Sequence, residues 1–285
     1  MRLGLTLPQF RSDPEPALAV ARAAEEVGFD GVFVFDHLWP LGQPQRPALH
    51  SYELLAAIAA ETSSIGLGPL VARVGLLPDE VFLHALLTLD HISGSRLVAG
   101  LGTGDIANRA ENLAYGIDYP PMAERRHRLV ACCRALVHAG VTTWVGGLSP
   151  AARASAAAGG AGAWNGWGLD VAAFAAAAGE LAGTGVEPTW AGQVLVGRTR
   201  ADADAKRAEH GDRPGLVWGT VDDLRRHLDA LEAAGATWAV LAPLDVGHDP
   251  SVPETLIRAA TDHEPAIGPM RKTSSAVVRP DPGGT

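Results

Sequence analysis

Apolar residues along this chain switch repeatedly between two spacings. Residues 3–7, Leu-Gly-Leu-Thr-Leu, alternate with period two, and after Pro14 the positions Leu18, Ala21, Ala24 and Val27 recur at helical spacing until Gly28 stops them. A continuous apolar run at 31–35 follows, as in a parallel strand covered on both faces, and 52–62 is again helical. The unit recurs with strands predicted at 65–74, 96–101, 142–145, 161–164, 189–196 and 238–241. Helices are predicted between them at 79–91, 122–139, from Pro150 through the Ala/Gly-rich stretch, 171–181, 200–208 and 221–234. Eight strands alternating with helices predict an α/β fold, a single (β/α)8 TIM barrel over residues 1–263. Residues 264–285, rich in Pro, Gly and Ser and without periodicity, are predicted to be a flexible C-terminal tail.

Composition narrows the partners. A length of 285 residues with a 47% hydrophobic fraction suits one large α/β domain. The net charge of -9 and the lack of a basic stripe exclude nucleic acid from the expected partners. No apolar run is long enough for a membrane span, and the start Met1-Arg2-Leu3-Gly4 lacks a signal-peptide core, so a soluble cytoplasmic protein is expected. Cys132 and Cys133 are adjacent in a helical stretch, which suits buried thiols and neither a disulfide nor a metal site. None of the ten histidines has metal-ligand spacing, so no metal is expected; a nucleophile elbow and a Walker loop are absent too.

In a barrel of this kind chemistry lies at the C-terminal ends of the strands. Asp36-His37 leaves the apolar second strand, and an imidazole can act as base or acid near neutral pH. The alternative is that Asp36 caps the following loop while His37 satisfies a local carbonyl. The fourth strand ends in Gly100-Leu101-Gly102-Thr103-Gly104-Asp105, which fails the dinucleotide pattern G-x-G-x-x-G because Asp stands where the third glycine belongs. Glycines there would let a ring approach the backbone. Gly146-Gly147-Leu148-Ser149-Pro150 exposes backbone N–H groups before a helix, either as a phosphate cradle or as an ordinary capped turn.

These features together resemble the bacterial luciferase-like monooxygenase superfamily, and most of all its branch that uses the deazaflavin coenzyme F420. The resemblance rests on Leu5-Thr6-Leu7-Pro8, residues 24–31, Asp36-His37, residues 88–96, residues 100–105 and Val145-Gly146-Gly147. It implies an oxidoreductase transferring hydride to or from a small organic substrate, with F420, or FMN in its place, at the barrel mouth. By that resemblance Asp36 and His37 lie beside the ring, His37 as a proton-transfer residue. Gly104, Asp105 and Asn108 contact the coenzyme, and Gly146, Gly147, Leu148 and Ser149 hold its phosphate. Arg73 and Val74 match the end of the third strand, where the family carries a non-prolyl cis peptide behind the ring. Asp105 stands where F420-dependent sugar-phosphate dehydrogenases place an acidic Glu, one methylene longer. The resemblance also implies a homodimer formed through helices of the second and third units. Many relatives insert a long segment before strand five, and here it is short. An FMN-dependent monooxygenase and a catalytically silent ligand-binding barrel are the alternative readings.

Overall fold

In the computed structural model, which describes residues 1–259, strand and helix alternate as the periodicity predicts. The first half runs β1 (Arg2–Thr6), α1 (Glu15–Val27), β2 (Gly31–Val34), α2 (Ser51–Glu61), β3 (Gly66–Pro69), β4 (Ala72–Arg73), α3 (Asp79–Ser93), β5 (Val98–Gly102), α4 (Asn108–Ala114) and α5 (Met122–His138). The second half runs β6 (Thr142–Gly146), α6 (Pro150–Gly159), β7 (Ala163–Trp167), α7 (Val171–Gly179), β8 (Glu187–Gly197), α8 (Arg200–His210), β9 (Val217–Thr220), α9 (Val221–Ala233), β10 (Trp238–Pro243) and α10 (Val252–Ile257). The tail expected at 264–285 and the last four residues expected in the barrel lie outside the described residues.

The strands pair in the order β3-β2-β1-β10-β8-β7-β6-β5-β4, all in parallel. β3 and β4 are successive pieces of one stave, the first paired with β2 and the second with β5, so the ring closes through them. A bridge between Leu67 and Leu97 reinforces the closure. β9 pairs with the far end of β8 and stands off this ring, which leaves eight staves.

The third stave departs from the uninterrupted strand expected at 65–74. Its break falls at a cis peptide bond between Leu70 and Val71, earlier than the expected position near Arg73 and Val74. The break sits where the stave stops pairing with β2 and begins pairing with β5. The short connection before strand five is as expected: α5 passes to β6 through Ala139, Gly140 and Val141 alone.

Two layers of core hold the barrel. Inside the ring, Phe33 stacks on Trp144 at 5.5 Å between centroids, and Trp144 meets Trp238 edge-on at 5.2 Å. Such large rings need small neighbours. A Cβ on Gly4 would lie 2.7 Å from the Phe33 ring, so the glycine in β1 is what makes room for the aromatic in β2. Outside the ring, the apolar stripes of the helices cover the opposite strand faces, with Leu18, Ala21 and Ala24 of α1 buried as their spacing requires. Cys132 and Cys133 are free and buried in this outer layer, and burial pushes their thiols up to about 12 and about 11.

Candidate active site

The ends of β2, β4 and β5 bring one polar cluster together at the barrel mouth. Asp36 leaves β2 buried, and both of its carboxylate oxygens accept hydrogen bonds, from Ser51 Oγ at 2.8 Å and from the Arg73 backbone N–H at 2.7 Å. Its carboxylate therefore ties the start of α2 to β4. His37, next in the chain, keeps 20% of its side chain exposed, and its Nδ1 lies 3.2 Å from Glu111 Oε2 and 3.5 Å from Asn108 Nδ2. With Nδ1–H donating to the carboxylate, the ring presents Nε2 as its acceptor.

Glu111 is the residue that pattern reading missed. It sits in α4 with no exposed side-chain surface, and its carboxylate also accepts from Arg73 Nη1 at 2.9 Å and from the Leu38 backbone N–H. Burial alone would push its carboxyl up, but the His37 hydrogen bond, the Arg73 charge and the Leu38 amide outweigh burial and hold it at about 2. Arg73 is itself buried, and its Nε has no hydrogen-bond partner among the described residues. Asn108, Glu111 and Asn112 are all buried on one face of α4, at the i, i+3 and i+4 positions of a helix. That spacing of polar residues was the available signal.

The remaining expected residues divide. Gly104, at φ 66°, leaves no room for a side chain: a Cβ would lie 2.7 Å from Arg73 Cδ and 3.0 Å from Asn108 Oδ1. The glycines before it serve a similar purpose, since side chains at Gly102 and Gly146 would collide with Val71, the latter at 2.7 Å from Cγ1. They seat Val71 and Arg73 directly, where the sequence suggested direct approach of a ring. Asp105 is exposed and uses its Oδ1 to accept from the Ala107 N–H at 2.8 Å, while its own N–H donates to Asn108 Oδ1 at 2.8 Å. The carbonyl of Asp105 accepts from Tyr119 Oη. Arg125, also missed, is buried and holds this loop through the Thr103 carbonyl and the Gly104 carbonyl, the latter at 2.8 Å, beneath the Tyr119 ring.

Val74 departs from the expectation of a site residue. It is buried in the outer core under the helices, because alternation along the stave turns it away from the face that Arg73 occupies. Gly146, Gly147, Leu148 and Ser149 form the turn from β6 into α6, where Ser149 caps the helix by accepting from the Ala152 N–H at 3.2 Å. Trp164 Nε1 donates to the Gly147 carbonyl at 2.7 Å and fixes the turn.

A stave-by-stave gap opens on the other side of the mouth. Between the ends of β1, β2, β7, β8 and β10 lies a cavity of about 220 Å³. Phe10 lies on its wall and its ring centroid is 6.5 Å from that of His37, so the cavity and the polar cluster adjoin.

The family model for luciferase-like monooxygenases matches residues 1–146. An F420-dependent glucose-6-phosphate dehydrogenase of Nakamurella multipartita is 34% identical over 131 residues, which is 45% of this chain and 38% of that protein. The chain spans about two fifths of the length of the curated relatives it matches. Among solved structures, apo-MsnO8 superposes with a TM-score of 0.73 at 16% identity, over 91% of this chain and 97% of the other. An F420-dependent secondary alcohol dehydrogenase in complex with an F420-acetone adduct gives 0.70 at 15% identity, over 90% and 98%. At such identities the two structures establish the likeness of fold.

Proposed function

This chain belongs to the luciferase-like monooxygenase family, and from that premise we propose that it is an oxidoreductase that uses coenzyme F420 to transfer hydride to or from a small organic substrate. The observation that carries this reading is the His37–Glu111–Arg73 cluster at the mouth, joined to a cavity of about 220 Å³. Curated relatives bearing F420-dependent names support the coenzyme, and the residues present fit it. A buried Arg73 Nε stands without a partner among the described residues, and Leu148 and Ser149 lie in the turn at a helix start, while the Gly147 N–H donates to the Asn165 carbonyl.

When bound, a deazaflavin supplies hydride chemistry at its ring carbon and activates oxygen poorly. Everything else falls to the protein. Arg73, Gly104 and Asn108 would hold the ring of such a coenzyme, and Gly146, Gly147, Leu148 and Ser149 would hold its phosphate. Glu111 fixes the His37 ring so that Nε2 faces the substrate and takes or gives the proton that accompanies hydride transfer. Asp36 holds α2 and Arg73 in register beneath it, and Asp105 keeps the loop start in place. The enzyme works in the cytoplasm as a homodimer; among the described residues no helix is long and apolar enough to cross a membrane.

Fluorescence titration of the purified protein with F420 and with FMN tests the coenzyme. Micromolar binding of F420 is expected, and binding of FMN alone would transfer the chain to the flavin monooxygenase reading. His37→Ala is expected to keep F420 affinity within about threefold and to lose about 100-fold or more in turnover, the usual worth of a positioned acid or base. Unchanged turnover would remove the proton-transfer role.

A further inference from the structure

The cavity beside the His37 cluster has a lining of one sign. Arg11 from the loop after β1, Arg46 from the loop after β2, Arg213 from the segment between α8 and β9, and His248 after β10 all contribute to its wall. Neither Asp nor Glu lines it among the described residues. These basic groups come from four separate connections of the barrel, so the fold, and not a local charge run, has gathered them. The chain as a whole is acidic, at -9, which makes a cavity with only basic charges a local reversal of the background.

The basic groups are free to receive an anion. Arg46 is steadied by Gln43 Oε1 at 3.0 Å and the Phe10 carbonyl at 3.4 Å, neither of which cancels its charge. Arg11 and Arg213 form no ion pair among the described residues, whereas several other arginines are spent on carboxylates, as Arg207 is on Asp212 and Arg200 on Asp223. The cavity also has an apolar side: Phe35 stacks on Phe10 at 5.8 Å and meets Trp167 edge-on at 5.5 Å. An aromatic wall next to several guanidinium groups suits a ligand with an organic body and an anionic end.

We infer that this half of the mouth is an anion-binding subsite that seats a phosphate or carboxylate group of the substrate, held mainly by Arg11 and Arg213. The substrate is then an organic anion whose reacting carbon lies toward His37, on the far side of Phe10. The word substrate rests on the hydride-transfer reading above; the anion site does not. Its arginines come from the loops after β1 and β2 and the segment between α8 and β9, whereas the turn assigned to the coenzyme phosphate follows β6 and none of its residues lines the cavity, so the two anion positions are separate. Arg213, Gln193 and His248 also lie beyond residue 146, where the family model ends.

Titration of the full chain with inorganic phosphate at constant ionic strength, followed by tryptophan fluorescence because Trp167 lines the cavity, tests the subsite. Saturable binding is expected, weakened about tenfold by Arg11→Gln and by Arg213→Gln, the usual scale for one charge-assisted contact. Arg134→Gln on the exposed side of α5 removes the same charge elsewhere and is expected to leave binding unchanged. Absence of saturable binding, or equal weakening by Arg134→Gln, would overturn the subsite. Phosphate affinity unchanged by saturating F420 supports assignment to the substrate; displacement of phosphate by F420 would overturn that assignment and give the subsite to the coenzyme. Phosphate binding in a chain that binds neither F420 nor FMN keeps the subsite and removes the coenzyme reading, so the two failures are told apart.

Discussion

Glu111 holds a charge where no water reaches it, and three donors make that tolerable: His37, the Leu38 amide and Arg73. Its carboxyl sits at about 2 against an ordinary 4.5. A folded-state value below the unfolded one means that folding is favoured by the ionised form, so this contribution is complete above pH 4.5 and drains away as pH falls toward 2. The shift corresponds to about 3 kcal/mol. Glu111→Gln is therefore expected to lower stability by about that amount at pH 7, with the difference from the parent narrowing between pH 4.5 and pH 2; urea unfolding across that range measures it. A difference that stays constant with pH would mean that the carboxylate charge does not carry the effect. Asp36 and His37 were legible as candidates because polar residues interrupt an apolar strand end. Glu111 was harder to find, since its partners are distant in sequence and the only local mark is the i, i+3, i+4 spacing it shares with Asn108 and Asn112.

At the scale of elements, α4 shows why. Its buried side chains are Asn108, Glu111 and Asn112, while Leu113 is exposed, so its amphipathicity is the reverse of what a core-facing helix displays. A rule that sends polar residues to solvent cannot find such a helix. β9 and α10 escaped for a simpler reason, being too short for a period to establish itself. Residues 88–96, by contrast, ended in an arginine whose purpose the structure makes plain. Arg96 donates to the Ala59, Thr62, Ile65 and Ser93 carbonyls and to Thr62 Oγ1, at 2.7–3.0 Å. It thereby closes the C-terminal end of α2 and links it to the end of α3. Arg96→Met is expected to cost about 3 kcal/mol, and Arg96→Lys to recover only part, because an ammonium cannot span the same set of acceptors. Shifts in the urea midpoint read both, and equal stability of Arg96→Lys and the parent would refute the planar clamp.

For the whole molecule, eight staves place α2 and α3 side by side on the outside of the ring, and α3 leaves Val81 and Ile92 more than half exposed. That face is the one assigned to the homodimer. Light scattering is expected to give a dimer for the parent chain and a monomer for the double variant Val81→Glu, Ile92→Glu, with the fold retained by circular dichroism; a dimer in both would move the interface elsewhere. The barrel itself was readable from the chain, because each strand-and-helix unit repeats the same local bargain between a period of two and a period of 3.6. Gly28 ended its helix where expected, and Gly94 and Gly160 are left-handed caps of the same kind, a local requirement that a residue meets alone. The site was another matter. That Glu111 reaches His37 across 74 positions, that glycines at 102 and 146 make room for Val71, and that Arg11, Arg46 and Arg213 share one cavity follow from closure of the ring. Local periodicity encodes which face of an element is apolar, so the sequence by itself determined the staves, the longer helices and the strand ends where chemistry belongs. Which polar groups meet there is a matter of distances across the ring, and only the tertiary structure decided it.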